Sequence, residues 1–151
     1  MINFKLNPKD FNYLGTEYEV IEITKYNYKD YISLIEKTIQ NFNNEIEWDK
    51  MFDLNEAILR LEDNATFYIG IINNEPFGHV WFEFIDTMSS NKFLYNLFIK
   101  NKVENKTYTG REFVSDIIFR FNRGIKIFCE VDEWNEKSIK LFEKLGFKRT
   151  K

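Results

Sequence analysis

Between Lys92 and Phe147 the spacing of apolar residues changes period repeatedly, and that alternation constrains the fold more than any other feature of the chain. Lys92 to Ile99 reads as a strand. Glu112 to Phe121 reads as a helix with Phe113, Val114, Ile117, Ile118 and Phe121 on one face, and Ile125 to Val131 as a strand again. Asn122-Arg123-Gly124 ends the first of these helices in the manner of a glycine cap. Asn135 opens a second helix, Ile139, Leu141, Phe142 and Leu145 recur along it, and Gly146 closes it before Phe147 starts another strand. Strands joined through helices are crossover connections, so this half predicts two βα units at the end of a mixed sheet.

The preceding residues supply the rest of the sheet. After a loose N-terminal arm, Tyr18 to Thr24 alternates as a short strand. Tyr31, Leu34, Ile35, Thr38 and Ile39 then lie on one face of a helix that the Asn-rich stretch Asn41 to Asn44 is expected to end. Asp53 is placed to cap a helix over Leu54 to Leu61, with Glu56 completing a capping box. Thr66 to Ile72 and Pro76 to Ile85 form a hairpin about Asn73-Asn74-Glu75. The predicted order is β-α-α-β-β-β-α-β-α-β, a mixed α/β (α+β) fold with a central twisted mixed sheet of about six strands flanked by helices. At 151 residues one domain over the whole chain is expected.

Bulk chemistry excludes several classes. A net charge of -3 gives no global cationic field for a nucleic-acid backbone, so no nucleic-acid partner is expected. One cysteine, Cys129, excludes an intrachain disulfide and supports no zinc cluster, and no metal is expected. The first ten residues lack the pattern of a secretory leader, and no run approaches the roughly 18 apolar residues of a membrane span. A cytoplasmic protein without membrane contact follows as the expectation. Sixteen Phe and eight Tyr are unusual. A codon bias toward A·T explains them at least as well as function does.

The segment Asn135-x-x-Ser138-x-x-Leu141-Phe142-x-x-Leu145-Gly146-Phe147, with the upstream turn Asn105 to Glu112, resembles the GNAT superfamily of N-acetyltransferases. The resemblance implies an acyl-CoA N-acyltransferase-like fold that binds acetyl-CoA and moves its acetyl group to a primary amine of a small molecule or peptide by direct attack. The family's turn carries Gln or Arg, then Gly, then Gly or Ala; here Asn105 stands first, Tyr108 replaces a glycine, and Gly110 and Glu112 match. A pyrophosphate would be held by backbone N–H groups at this helix start.

Carried over, Asn105, Lys106, Thr107, Tyr108, Thr109, Gly110 and Arg111 would hold that pyrophosphate. Ile99 and Lys100 would offer backbone groups to the pantetheine arm, Asn135 would touch the arm or its thioester end, and Phe142 would lie near the sulfur. Lys137 or Lys140 could reach the adenosine phosphate or simply line a solvated helix face. Many members place a Tyr acid where Phe142 stands, and a phenyl ring cannot protonate a departing thiolate. The implied alternative is therefore an acyl-CoA-binding module without turnover.

Attack also needs an amine without its extra proton, hence a base or a water relay. Glu83 is the first candidate; Trp81 and His79 share its face by period-two spacing, although a solvent-facing carboxylate and a packed histidine explain the same residues. Trp48, Trp81, Glu83 and Tyr95 are the expected acceptor-binding residues, with Glu45, Glu47 and Asp49 beside Trp48 either drawing in a cationic amine or forming a solvated loop. The family commonly has a longer final hairpin than the stretch after Phe147 allows. The last edge is then exposed or covered by a second copy in a homodimer.

Overall fold

The computed structural model describes residues 1–45, 52–85, 89–100 and 110–150. Its strands are β1 (Ile2–Leu6), β2 (Glu19–Ile23), β3 (Thr66–Ile72), β4 (Glu75–Phe84), β5 (Lys92–Ile99), β6 (Ile127–Val131) and β7 (Lys148–Thr150). Its helices are α1 (Ile32–Glu45), α2 (Leu54–Glu62), α3 (Gly110–Phe121) and α4 (Glu136–Leu145). The architecture is mixed α/β, as expected, and the strands are mostly antiparallel. The chain divides into two compact units, one of Met1–Glu17, Phe82–Tyr95 and Thr109–Lys151, the other of Tyr18–Trp81 and Asn96–Tyr108. β4 and β5 run through both.

In the second unit the strand order is β2-β3-β4-β5. β2 pairs antiparallel with β3 from Glu19↔Ile71 to Ile23↔Phe67. The β3–β4 hairpin turns on Asn73 and Asn74, both at positive φ (50° and 64°), the combination a two-residue primed turn requires and Asn tolerates. Gly78 lies where a Cβ would meet the Phe98 carbonyl oxygen at 2.5 Å, so only glycine lets β4 approach β5 this closely. α1 packs on α2 and buries Ile35, Thr38, Ile39 and Phe42. It does not stop at Asn41: burial of Phe42 and a 2.8 Å hydrogen bond from the Asn43 amide to the Phe52 carbonyl carry the helix through the Asn-rich stretch. α2 begins as expected, with Asp53 accepting from the Glu56 N–H at 2.8 Å. The other half of the capping box does not form, because the Glu56 carboxylate pairs with Arg60 one turn ahead at 3.0 Å.

In the first unit the order is β4-β5-β6-β1-β7. The N-terminal segment, expected to be a loose arm, is instead strand β1, which brings the strands among the described residues to seven. It pairs antiparallel with all of β6, from Ile2↔Val131 to Leu6↔Ile127, and on its other side with β7, from Asn3↔Thr150 to Lys5↔Lys148. The residues after it are pinned as well. Asn12 donates its N–H to the Leu145 carbonyl at 2.9 Å, Leu14 donates to Ser115 Oγ at 2.8 Å, and Tyr13 stacks on Phe119 at 4.0 Å. Gly146, at φ 103°, ends α4, and a Cβ there would collide with the Asp10 carbonyl. β7 is short and exposed at the edge of this unit.

Candidate functional site

β5 and β6 are parallel, and they pair only at Lys92↔Ile127 and Phe93↔Phe128. The opposite edge of β6 is bonded to β1 along its whole length, so the shortness of the β5 pairing is not fraying of β6. At Leu94 and Cys129, within the same unit, the pairing has already ended. Such a divergence leaves backbone donors and acceptors available to an extended ligand. In the same unit α3 begins at Gly110, with Arg111 exposed in its first turn, and packs against α4. A helix start directs N–H groups and a positive dipole end outward, the elements that hold a phosphate.

At the start of α4, Asn135 accepts from the Ser138 N–H at 3.2 Å, so its carbonyl oxygen serves as the helix cap. Phe142 is 4% exposed, with its ring 6.1 Å from that of Phe4 and 5.1 Å from that of Phe147. Glu83 and Tyr95, also in this unit, are half-buried. The lone cysteine is buried in β6, and desolvation pushes its thiol pKa far up, which removes it as a nucleophile at neutral pH.

The second unit holds the other expected residues. The Lys100 N–H donates to the Phe77 carbonyl at 2.8 Å, so the Lys100 main chain is engaged with β4. Successive N–H groups alternate along a strand, which directs that of Ile99 away from β4. Trp81 is buried, its ring 3.7 Å from Phe67 and 4.8 Å from Phe52. Trp48 and the turn residues Asn105, Lys106, Thr107, Tyr108 and Thr109 lie outside the described residues.

His79 occupies the centre of this aromatic cluster, fully buried, with Phe42, Phe67, Trp81 and Phe98 rings 5.5–6.0 Å away. Nδ1 is 2.8 Å from Thr38 Oγ1 and Nε2 is 2.6 Å from Asn96 Oδ1. Burial lowers its pKa to about 4, against the opposing hydrogen bond to Asn96, so the ring is neutral at pH 7. With both nitrogens engaged and no exposure, it is not a general base for a diffusing substrate. Sequence reasoning passed over Thr38 and Asn96. Their signal was a polar residue on the apolar stripe of a helix and another within a β-prone run.

The sequence profile described as the acetyltransferase (GNAT) family matches residues 31–147. The chain belongs to that family. No curated protein matches it. Among solved structures, an acetyltransferase from Thermus thermophilus superposes with a TM-score of 0.63 at 14% identity over 90% of each chain. An aminoglycoside N-acetyltransferase in complex with CoA gives a TM-score of 0.56 at 14% identity over 91% of each chain. An aminoglycoside acetyltransferase from an uncultured soil metagenomic sample, in complex with sisomicin, gives 0.54 at 12% identity over 84% of this chain and 86% of that one. At these identities the likeness shows the fold alone. Among the described residues no helix of this GNAT chain is long and apolar enough to cross a membrane.

Proposed function

We propose that the chain is an acetyl-CoA-dependent N-acetyltransferase acting on a primary amine. The observation that carries the reading is the parting of β5 from β6 after Phe93↔Phe128 in a chain of this family. The residues present fit the co-substrate. Ile99 would offer backbone groups to the pantetheine arm, and the start of α3 at Gly110, with Arg111 and the turn 105–109, would hold the pyrophosphate. Asn135, its oxygen already capping α4, would have only its amide nitrogen to offer the arm. Acetyl-CoA supplies an activated acetyl thioester.

Glu83, half-buried, is the proposed base that takes the proton of the incoming ammonium, directly or through water. A backbone N–H near Ile99 would polarise the thioester carbonyl. Phe142 cannot act as an acid, so the departing thiolate would take its proton from water or from the ammonium produced by the attack. Trp81, Glu83, Tyr95 and Trp48 are the proposed acceptor residues. A small cationic amine, such as an aminoglycoside or a polyamine, or a basic peptide end would suit an acidic chain.

Thiol release from acetyl-CoA with a panel of such amines is the test. Release above hydrolysis with at least one amine is expected. Stabilisation of the chain by CoA without release for any amine would instead support the acyl-CoA-binding module that Phe142 suggests.

A further inference from the structure

The first unit carries an open cavity of about 400 Å³ whose lining includes Ile85, Phe93 and Phe128, with Asn3, Asn91 and Glu130 as its polar members. Pairing fixes its place in the sheet. Phe93 and Phe128 are the last residues that β5 and β6 hold in register, so the cavity lies where the two strands begin to part. Along these strands Leu94, Ile127, Cys129 and Val131 are buried, whereas Phe93 and Phe128 are half-buried and Glu130 is exposed. Alternation therefore puts Phe93, Tyr95, Phe128 and Glu130 on the face away from the core. β4 adds to that face. The seven residues 85–91 that join β4 to β5 are too few for a parallel crossover, so these neighbours run antiparallel, and the Ile85 N–H donates to the Asn91 carbonyl at 3.3 Å. Glu83, two residues before Ile85, projects to the same side roughly 7 Å along, in the direction in which β5 leaves β6. Glu130 lies in that direction from Phe128 as well. Two carboxylates thus stand toward the parting, with three hydrocarbon side chains behind them.

Ile85 is 46% exposed beside the two half-buried phenyl rings, apolar surface that a hydrocarbon group would cover favourably. A polycation would strip that surface of no water and, among the described residues lining the cavity, would meet Glu130 as the single carboxylate. We propose that the acceptor is a monoamine with an apolar body, of the arylalkylamine class. Its ammonium is drawn to Glu83 and Glu130 at the parting, and its body lies on Ile85, Phe93 and Phe128. Ile85 and Phe128 are then specificity residues that touch the body of the amine and not the reacting atoms. The inference rests on the acetyltransferase reading and narrows the amine class, but one arm of its test needs no turnover.

The kinetic arm compares kcat/KM for 2-phenylethylamine, ethylamine and spermidine. Phenylethylamine is expected to exceed ethylamine about thirtyfold, the gain from burying most of one phenyl ring, and to exceed spermidine as well. Ile85→Ser, at an exposed position whose change leaves the core intact, is expected to cut the ratio of phenylethylamine to ethylamine at least threefold, and Phe128→Ala to cut it further. The binding arm uses the intact chain loaded with CoA and saturated with 2-phenylethylamine. Nuclear Overhauser contacts are expected between the phenyl protons of the amine and the methyl groups of Ile85. A ratio near one, a ratio unchanged in Ile85→Ser, a preference for spermidine, or absence of those contacts overturns the proposal. If no amine releases thiol while the contacts at Ile85 are present, the acetyltransferase reading fails and the cavity stands as a site for the apolar amine.

Discussion

Each compact unit buries an ionisable group completely, and the two do so by opposite means. In the second unit His79 sits among aromatic rings with hydrogen bonds from and to neutral partners, and burial drives it to the uncharged form. In the first, Asp116 on α3 is equally buried, but Arg120 one turn on grips both carboxylate oxygens at 2.6 and 2.7 Å and also reaches Glu17 at 3.5 Å. The guanidinium remains partly exposed, so the cation keeps some hydration while the anion gives up its own. The contrast teaches that burial alone does not decide a charge state. A charged partner with one side in water preserves an ion; neutral partners in an aromatic cluster extinguish it.

The sharpest way to break this comparison is to remove the cation. Arg120→Ala would leave a buried carboxylate without its counter-charge and is expected to lower stability by about 3 kcal/mol in urea denaturation at pH 7. Asp116→Ala should lose less, about 1–2 kcal/mol, because the arginine left behind can turn to solvent. The reverse order would mean that Arg120, not Asp116, is the group that burial penalises.

Acid tests the histidine. In the unfolded chain His79 takes up a proton near pH 6.5, in the folded chain only near 4. The unfolded state therefore binds more protons between those values, and stability should fall by about 3 kcal/mol as pH drops from 6.5 to 4. Subtracting the curve for His79→Leu isolates this part from the carboxylates; if the two curves run parallel, the ring is not held neutral. Thr38→Val, which leaves Nδ1 of His79 without its partner in the core, is expected to lower stability by about 1–2 kcal/mol, with Thr38→Ser retaining most of it. The smallest effect belongs to the hairpin: Asn74→Ala at φ 64° should lose about 1 kcal/mol, and Asn74→Gly nothing or a slight gain.

What could be read from the sequence was local. Asn135 and Gly146 bound α4 as their chemistry dictates, and Ile139, Phe142 and Leu145 are buried as their spacing requires. β3, β5 and the Asn73-Asn74 turn follow from runs whose own residues determine them. β1 was not read, although Ile2, Phe4 and Leu6 alternate, because its partners lie more than a hundred residues away and nothing nearby marks a turn. The candidate site divides the same way. The α3 helix, expected from Glu112 and found from Gly110, and the β5 strand were visible as elements, and the family motif before the helix pointed to a ligand. The contacts of Thr38 and Asn96 with the two nitrogens of His79 depend on which atoms meet across three elements, and no periodicity in a single chain records that.

The position of β1 between β6 and β7 also dictates an order of assembly. During synthesis Ile2–Leu6 is the earliest made of the seven strands, yet both neighbours to which it bonds, Ile127–Val131 and Lys148–Thr150, are the latest. At roughly 5–20 residues per second the leading strand waits several seconds beside the ribosome with both edges unsatisfied. Among the described residues β7 has no ladder to join except the one this early strand provides, so its pairing comes after the other described strands have been made.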